Sequence, residues 1–283
     1  MRTRRQKVLL ITKIIAVCLA LLLIGLFLFR DALLQKTITG ISHKMDRDYN
    51  STFSIKKATF EGFTGVEMTN VILVPKNADT LFSIEKINAH INFWHLFTGT
   101  LQLESLQAKN GFIQLIKNEN GRNFDAFLPK KKDTIDTGEK PNYAKLVYNL
   151  LNKTLNLVPT NMNLENLSLR MDDMGKKATA RLNTLVLVDK KLVSTFQVQT
   201  NTFTQKWSIK GFADPRNKQV DIRFFNLDTG KIKVPYFDER FNIQSSFDSI
   251  RLKVANIDMK SGELHVDGFA SIANFTINHP KIA

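Results

Sequence analysis

One spacing of apolar residues recurs along this chain: two alternate positions, a pair of polar residues, and two further alternate positions. Strict alternation is the period of a β-strand with one buried face. The doubled polar step shifts the apolar side chains by one residue, and a strand keeps them on one face only at a bulge or bend. Repetition of the bend predicts one long curved sheet and not a flat sandwich. The pattern occurs at Val66–Leu73, Leu101–Ala108, Met162–Leu169 and Ala180–Leu187.

The remainder of the chain beyond residue 50 supports a mainly β fold. Alternating runs are separated by Gly, Asn and Pro at roughly ten-residue spacing, which is typical of antiparallel strands. We predict roughly fourteen strands in one elongated, curved antiparallel sheet.

Two segments have a helical period instead. In 30–50, apolar residues recur every three or four positions, which indicates a stem helix packed on the first strands. A helix lying on the membrane surface is the alternative, and the lack of basic bias at 46–48 disfavours it. A charged stretch at 129–141 is predicted to be a loop. The segment 142–158 is predicted to be an amphipathic helix that covers an open face or end of the sheet.

The first thirty residues determine the predicted topology. Val8–Phe29 is an apolar run of 22 residues, and a helix of that length, about 33 Å, crosses a bilayer core. Its one charge, Lys13, lies near enough to the N-terminal end to snorkel. Basic residues in the tail at 1–7 place the N-terminus in the cytoplasm and the remainder outside. A cleaved signal peptide is the alternative, and Phe27–Arg30 offers a peptidase no small residues.

The net charge of +14 raises the question of nucleic-acid binding. Beyond the N-terminal segment the basic residues are spread along the chain, apart from Lys130–Lys132. Zinc-finger spacing, an RNA-binding aromatic pair and a basic recognition helix are all missing from the sequence, so we expect no nucleic-acid partner. Cys18 is the only cysteine and lies in the predicted anchor, which excludes a disulfide framework and a cysteine-based metal site.

The sequence offers no catalytic, cofactor-binding or metal-ligating residues. It contains no nucleophile elbow, phosphate-binding loop or dinucleotide fingerprint. The acidic pairs Asp172–Asp173 and Asp238–Glu239 are predicted to lie in turns. No two histidines have the spacing of metal ligands; they are His43, His90, His95, His265 and His279. We therefore expect a non-enzymatic protein without a cofactor.

The order of parts in the first half of the chain is distinctive. A single anchor and a short helix precede alternating strands and a glycine-containing turn. The informative stretches are Phe60–Phe63, Val66–Leu73, Leu81–Ile87, Gly99–Leu106, Gly111–Leu115 and Asn120–Asp125. In this order and pattern, residues 1–127 resemble the N-terminal region of the AsmA-like family of bacterial envelope proteins. From Lys130 onward only the β pattern continues.

The resemblance implies an elongated, U-shaped sheet with an apolar inner face, held in the periplasm by one span of the inner membrane. Such folds belong to a group proposed to carry lipids between membranes, so the implied function is lipid binding or transfer in cell-envelope biogenesis. The implied partners are the inner membrane, phospholipid, and envelope or cell-wall synthesis proteins. The predicted organisation is a cytoplasmic tail at 1–7, a transmembrane anchor at 8–29, a stem helix at 30–50, an AsmA-like β region at 51–128, a loop at 129–141, an amphipathic helix at 142–158 and a continuing β-sheet at 159–283.

A second resemblance gives an alternative function. In Bacteroidota-type envelope proteins, a similar anchor and β region precedes a peptidoglycan glycosyltransferase domain. The ending Gly268–Ala283 resembles a point at which such chains continue, which suggests a truncated or split reading frame. The acidic motif of the transferase is missing from this sequence. On this alternative the chain is the non-catalytic scaffold region of a transglycosylase protein.

Overall fold

The computed structural model describes residues 30–32, 34–62, 64–91, 103–119, 121–127, 148, 155, 158–201, 203–233, 238, 241–261, 263–279 and 281. The predicted tail and anchor at 1–29 and the predicted loop at 129–141 lie outside these residues. Of the predicted helix at 142–158, only 148, 155 and 158 are described, and the first two are helical. Within the described part, no helix combines the length and the apolar character that a membrane crossing requires.

The described residues form fourteen strands, in agreement with the predicted number. Residues 30–32 and 34–49 are helical and constitute the stem helix, and a short 3-10 helix lies at Asp125–Phe127. The strands are β1 (Ser51–Glu61), β2 (Gly65–Pro75), β3 (Phe82–Ile91), β4 (Leu103–Asn118), β5 (Gly121–Arg122), β6 (Asn161–Asp173), β7 (Lys176–Val188), β8 (Lys191–Thr200), β9 (Thr204–Asp214), β10 (Gln219–Asn226), β11 (Gln244–Ser246), β12 (Ser249–Lys260), β13 (Glu263–Ala273) and β14 (Thr276–Asn278).

Eleven strands follow one another across a single large sheet, in the order β1-β2-β3-β4-β6-β7-β8-β9-β10-β12-β13. The prediction of a mainly β, antiparallel sheet is confirmed with one exception, because β4 and β6 are parallel. Parallel neighbours need a crossover of a dozen or more residues, whereas antiparallel neighbours need only a tight turn. The connection between Asn118 and Asn161 is such a crossover, and it contains the predicted loop and amphipathic helix.

The predicted bends lie where the doubled polar steps fall. Asn70 and Asn166 occupy these steps in β2 and β6, with positive φ angles of 50° each. Asparagine is among the few residues that adopt this conformation readily. In the other two repeats the strand register shifts instead, opposite Glu104 between β3 and β4 and at Asn183 between β7 and β8. The doubled step therefore predicts the irregularity correctly in all four strands.

One hydrogen bond shows how strongly the sheet curves. Arg216, in the turn after β9, donates from Nη2 to the carbonyl oxygen of Leu103 at the start of β4, at 2.7 Å. Strands β6, β7 and β8 lie between β4 and β9. Four strand spacings would separate these residues by roughly 19 Å in a flat sheet, which is more than an arginine side chain spans. The sheet is thus curved, and its edge strands β1 and β13 do not pair with each other to close it.

The two edges of the sheet differ. The stem helix lies along β1, where Gln35 Nε2 donates to the carbonyl oxygen of Ala58 at 3.2 Å and Ser42 Oγ to that of Phe53 at 3.0 Å. The predicted packing of this helix on the first strands is therefore confirmed, and it covers backbone groups that would otherwise template aggregation. At the other edge, β13 is almost wholly exposed.

Candidate functional site

The large sheet has one continuous apolar face. A single row of direct register partners crosses all eleven strands near the middle of the sheet, and Ser194 is its one polar member. Consecutive members of a row lie on the same face, so apolar side chains extend from one edge to the other with Ser194 as the one polar position. The row consists of Ala58, Met68, Ile87, Ala108, Leu164, Leu185, Ser194, Ile209, Phe224, Ile250 and Ile272. We call this side of the sheet the apolar face and the other side the polar face.

Parts of the apolar face are accessible to solvent. Leu187 is 2% exposed, but Ile113, Leu169 and Met171 on β4 and β6 are 48%, 40% and 49% exposed. Ile113 and Leu169 are direct register partners, so these side chains form one open patch. Contiguous exposed apolar surface on a soluble domain marks a binding groove or interface. The open patch is therefore the first candidate binding surface.

The polar face is held by cross-strand ion pairs. Lys86 on β3 lies 2.6 Å from Glu67 on β2, and Lys109 on β4 lies 2.9 Å from Glu165 on β6. Hydrogen bonds from these lysines lower the pKa of both carboxyl groups. Exposed pairs of this kind contribute about 0–1 kcal/mol each, so they set register and solubility more than stability.

A row of side-chain amides follows the bend across neighbouring strands. Asn110 on β4 has a φ angle of 53°, and its Nδ2 donates to Glu85 Oε2 on β3 at 2.8 Å. Its Oδ1 accepts from Asn166 Nδ2 on β6 at 2.9 Å. The left-handed backbone makes the bend, and the amide ladder aligns it from strand to strand. These residues have a structural role.

A cleft of 710 Å³ opens at the end of β1 and β2, where it is lined by Pro75–Asp79 and Arg122. The buried Asn123 forms part of its wall. Its Nδ2 donates to the Gln114 carbonyl oxygen and its Oδ1 accepts from the Ile116 backbone, both at 2.9 Å. The amide of Asn123 is therefore used to fold the turn after β5, and it is not available as a catalytic group.

At the opposite end of the strands, Asp214 closes the turn between β9 and β10. Its side chain is 3% exposed and lies 2.8 Å from Lys190 Nζ, while Asn217 donates from its backbone and side-chain nitrogens at 3.2 and 2.8 Å. Burial raises the pKa of the Asp214 carboxyl group, and the bonds from Lys190 and Asn217 lower it by more. The net pKa is below its ordinary value.

Acid should weaken this turn in a specific pH range. Because folding lowers the pKa of Asp214, its ionised form stabilises the protein above the unfolded-state pKa, and that contribution is lost as the pH falls through the folded-state value. We expect wild-type protein to lose more stability below about pH 4 than Asp214→Asn does. Denaturant unfolding at neutral and acidic pH measures the difference. Asp189→Asn, in the neighbouring exposed turn, is the control, and an equal acid loss in wild type and Asp214→Asn would contradict the assignment.

The described histidines and acidic pairs lie apart and do not form a metal-binding group. His43 and His265 are exposed, the latter on the polar face, and His90 shares a hydrogen bond of 3.2 Å with Ser105. The prediction that the acidic pairs lie in turns is wrong for the described members, because Asp172 and Asp173 end β6 and Asp238 is helical. Asp172 Oδ1 accepts from the Gly175 backbone nitrogen in the turn that follows β6, at 2.8 Å. His95 and Glu239 lie outside the described residues. In the part of the chain that the structure describes, no group of histidine, cysteine and acidic residues has the arrangement to hold a metal ion.

Sequence reasoning missed a group of residues on the polar face. Lys210, Arg223 and Arg251 lie far apart in the sequence, but direct pairing of β9, β10 and β12 places them side by side. Each strand shows only an ordinary polar position, and nothing in the sequence gives the register that joins them. The one available signal is the excess of positive charge, which does not locate them.

Comparison with known proteins leaves the family open. No protein-family model matches the chain, and no curated protein matches it significantly. The two faces of the sheet are therefore the features that bear on function.

Proposed function

We propose that the protein is an AsmA-like component of cell-envelope biogenesis, anchored in the inner membrane, whose periplasmic sheet binds lipid on its apolar face and transfers it. The observation that carries the proposal is the row of register partners across eleven strands, which is apolar at every position except Ser194. A hydrocarbon chain gains about 0.8 kcal/mol for each CH₂ group it removes from water. Contact with the open patch at Ile113, Leu169 and Met171 would remove water from both the ligand and the protein.

The aligned bends support a groove of the required shape. Asn70, Asn110 and Asn166 bend β2, β4 and β6 at neighbouring positions of the sheet. Bending successive strands along one line folds a sheet into a gutter whose axis crosses the strands. Ten strand spacings correspond to roughly 48 Å when measured along the curved surface of the sheet, which is longer than an extended acyl chain. The U-shaped sheet implied by the family resemblance has this form.

The proposal assigns no chemical step to the chain. Transfer along an apolar groove needs a continuous surface and a tether, and it needs no nucleophile, metal or cofactor. Asn123, Asp172 and Asp214, the polar side chains at the ends of the strands, are engaged in turns and would give the groove rigid ends.

Photo-crosslinking in intact cells tests the lipid-binding surface. A benzoylphenylalanine introduced at Leu169 lies on the apolar face, where we expect covalent lipid adducts detectable by mass spectrometry. The same group at Arg181, an exposed residue on the polar face of the neighbouring strand, is the matched control. We expect several-fold more lipid adduct at Leu169, because Arg181 pairs with the polar residues Ser168 and Gln197 and its surroundings offer no hydrophobic contact for an acyl chain.

Two outcomes would count against the proposal. Equal lipid labelling at Leu169 and Arg181 would show that lipid contacts the protein without using the apolar face. Labelling of Leu169 by protein alone would contradict lipid binding and favour the alternative role, a non-catalytic scaffold region associated with a cell-wall glycosyltransferase.

A further inference from the structure

Two adjacent rows on the polar face of β7–β13 combine positive charge with exposed apolar side chains. Both rows follow direct register partners across six strands, and we call them together the basic-apolar patch. The first row is Val188, Lys191, Phe212, Asp221, Lys253 and Phe269. The second row is Val186, Val193, Lys210, Arg223, Arg251 and Ser271.

The charges in this patch are not balanced within the protein. It contains five basic residues and one acidic residue, Asp221, whose carboxylate is occupied by Arg251 at 2.9 and 2.7 Å. Lys210, Arg223 and Arg251 are direct cross-strand partners. Like charges placed opposite each other destabilise a sheet. Such a row is maintained at a cost in stability, which is typical of a binding surface.

The other half of the polar face shows how the same fold neutralises such a row. Lys86 and Lys109 are also direct cross-strand partners, but each has its own carboxylate, Glu67 or Glu165, within 2.9 Å. Among the described residues, neither Lys210 nor Arg223 has an ion-pair partner. Lys210 and Arg223 thus lack the neighbouring carboxylates that Lys86 and Lys109 have. This missing negative charge points to an anionic ligand at Lys210 and Arg223.

Apolar side chains in the patch restrict the kind of ligand. Phe212 and Phe269 are 37% and 46% exposed, and Val186, Val188 and Val193 are 38–46% exposed. They lie on the face that elsewhere carries mainly charged and hydroxyl side chains, with Ile72 and Phe112 among the exceptions. Arg251 lies over the ring of Phe269, 5.3 Å from its centre. An anionic polymer would use the cations alone, whereas a bilayer interface takes up cations among its headgroups and apolar side chains just below them.

We propose that the basic-apolar patch docks the last strands of the sheet on an anionic bilayer surface. The patch spans six strands, roughly 24 Å, which is the width of several lipid headgroups. It lies on the opposite face from the lipid-binding groove proposed above, so docking does not depend on lipid binding there, although it rests on the membrane anchor of the proposed function. Docking at this end would hold β13 against a membrane while the stem helix holds β1 at the anchored end.

Binding of the full chain to vesicles tests the proposal. The protein is inserted into nanodiscs of phosphatidylcholine and then floated with vesicles of phosphatidylcholine alone, or with vesicles containing equal parts of phosphatidylglycerol. We expect binding only to the anionic vesicles. Each cation near a membrane surface contributes about fivefold to affinity, so Lys210→Gln with Arg223→Gln should weaken binding about twenty-five-fold.

The matched control is Lys86→Gln with Lys109→Gln, which makes the same change in net charge on another directly opposed pair. We expect it to retain binding within about twofold, because its cations are already neutralised. An equal loss in both double variants would overturn the proposal in favour of non-specific attraction.

Arg223→Gln should also raise the thermal unfolding midpoint, since it relieves like-charge repulsion. A lower midpoint would contradict the interpretation of the row as a binding surface.

Substitutions of the apolar side chains in the patch distinguish binding to a bilayer from binding to an anionic polymer. Phe212→Ser with Phe269→Ser should abolish the binding that persists at high salt, because that part depends on insertion and not on charge. Unchanged binding in this variant, together with equal binding of dextran sulfate, would overturn the bilayer proposal in favour of a polymeric anion. The lipid crosslink at Leu169 should remain in all of these variants, so that failure of docking and failure of the groove can be told apart.

Discussion

Gly211→Ala should lower the free energy of unfolding by about 3 kcal/mol, equivalent to a fall of about 10 °C in the thermal midpoint of a domain this size. Gly211 lies in β9 with a φ angle of +156°, and a Cβ atom there would stand 2.1 Å from the Asp221 carbonyl oxygen and 2.8 Å from the Ile222 Cα. Both atoms belong to the backbone of β10, so neither can move without breaking the ladder. Denaturant unfolding followed by circular dichroism measures the loss.

Two other glycines separate the causes of this effect. Gly40 lies in the stem helix with no atom within 4 Å of its would-be Cβ, so Gly40→Ala should stabilise the protein by about 0.5–1 kcal/mol. Gly175 has a φ angle of +85° and equally open space, so Gly175→Ala reports the cost of the backbone conformation alone, about 1 kcal/mol. If Gly211→Ala costs no more than Gly175→Ala, β9 and β10 do not approach as closely as described.

Local chemistry explains which parts of this fold could be predicted from the sequence. The doubled polar steps at Asn70 and Asn166 predicted the bends, because the alternation of side chains between the two faces of a strand can be read from neighbouring residues. The same reasoning predicted the stem helix, whose stripe is local. The parallel pairing of β4 with β6 could not be predicted in this way. It depends on where the chain returns after the crossover at 119–160, and nothing in the periodicity of either strand encodes that choice.

The apolar face and the basic-apolar patch also differ in how far each could be predicted from the sequence. The apolar face was predictable as a whole, since every alternating strand contributes side chains to it wherever the strand lies in the sheet. The basic-apolar patch was not, because Lys210, Arg223 and Arg251 become neighbours only through the register of three strands. Alternation therefore identifies a face, whereas a patch within a face requires the strand order and the register together.

Substitution of Asn226 should cause a large loss of stability at the end of the sheet where β9 begins and β10 ends. It is 6% exposed, and its Oδ1 accepts from the backbone nitrogens of Asp228 and Thr229, both at 2.9 Å. Its Nδ2 donates to Gln205 Oε1 at 3.1 Å, and Gln205 Nε2 donates in turn to the Lys233 carbonyl oxygen at 3.0 Å. One amide thus joins β9, β10 and the segment after β10.

Asn226→Ala should destabilise the protein by about 3 kcal/mol, because it breaks two hydrogen bonds to the turn after β10 and leaves the Gln205 acceptor buried without its partner. Asn226→Asp keeps the acceptor for the backbone but turns a second acceptor towards Gln205, so its cost should be intermediate. Asn256→Ala is the control and should change stability by less than about 0.5 kcal/mol, since Asn256 is exposed and its side-chain amide donates to Asp258 at 3.4 Å.

In a double-mutant cycle of Asn226→Ala with Gln205→Ala, the combined loss of stability should fall short of the sum of the single losses, because the two substitutions remove the same buried hydrogen bond. Strict additivity would show that Asn226 and Gln205 act separately. Their hydrogen bonds would then not join β9, β10 and the segment after β10 into one rigid unit.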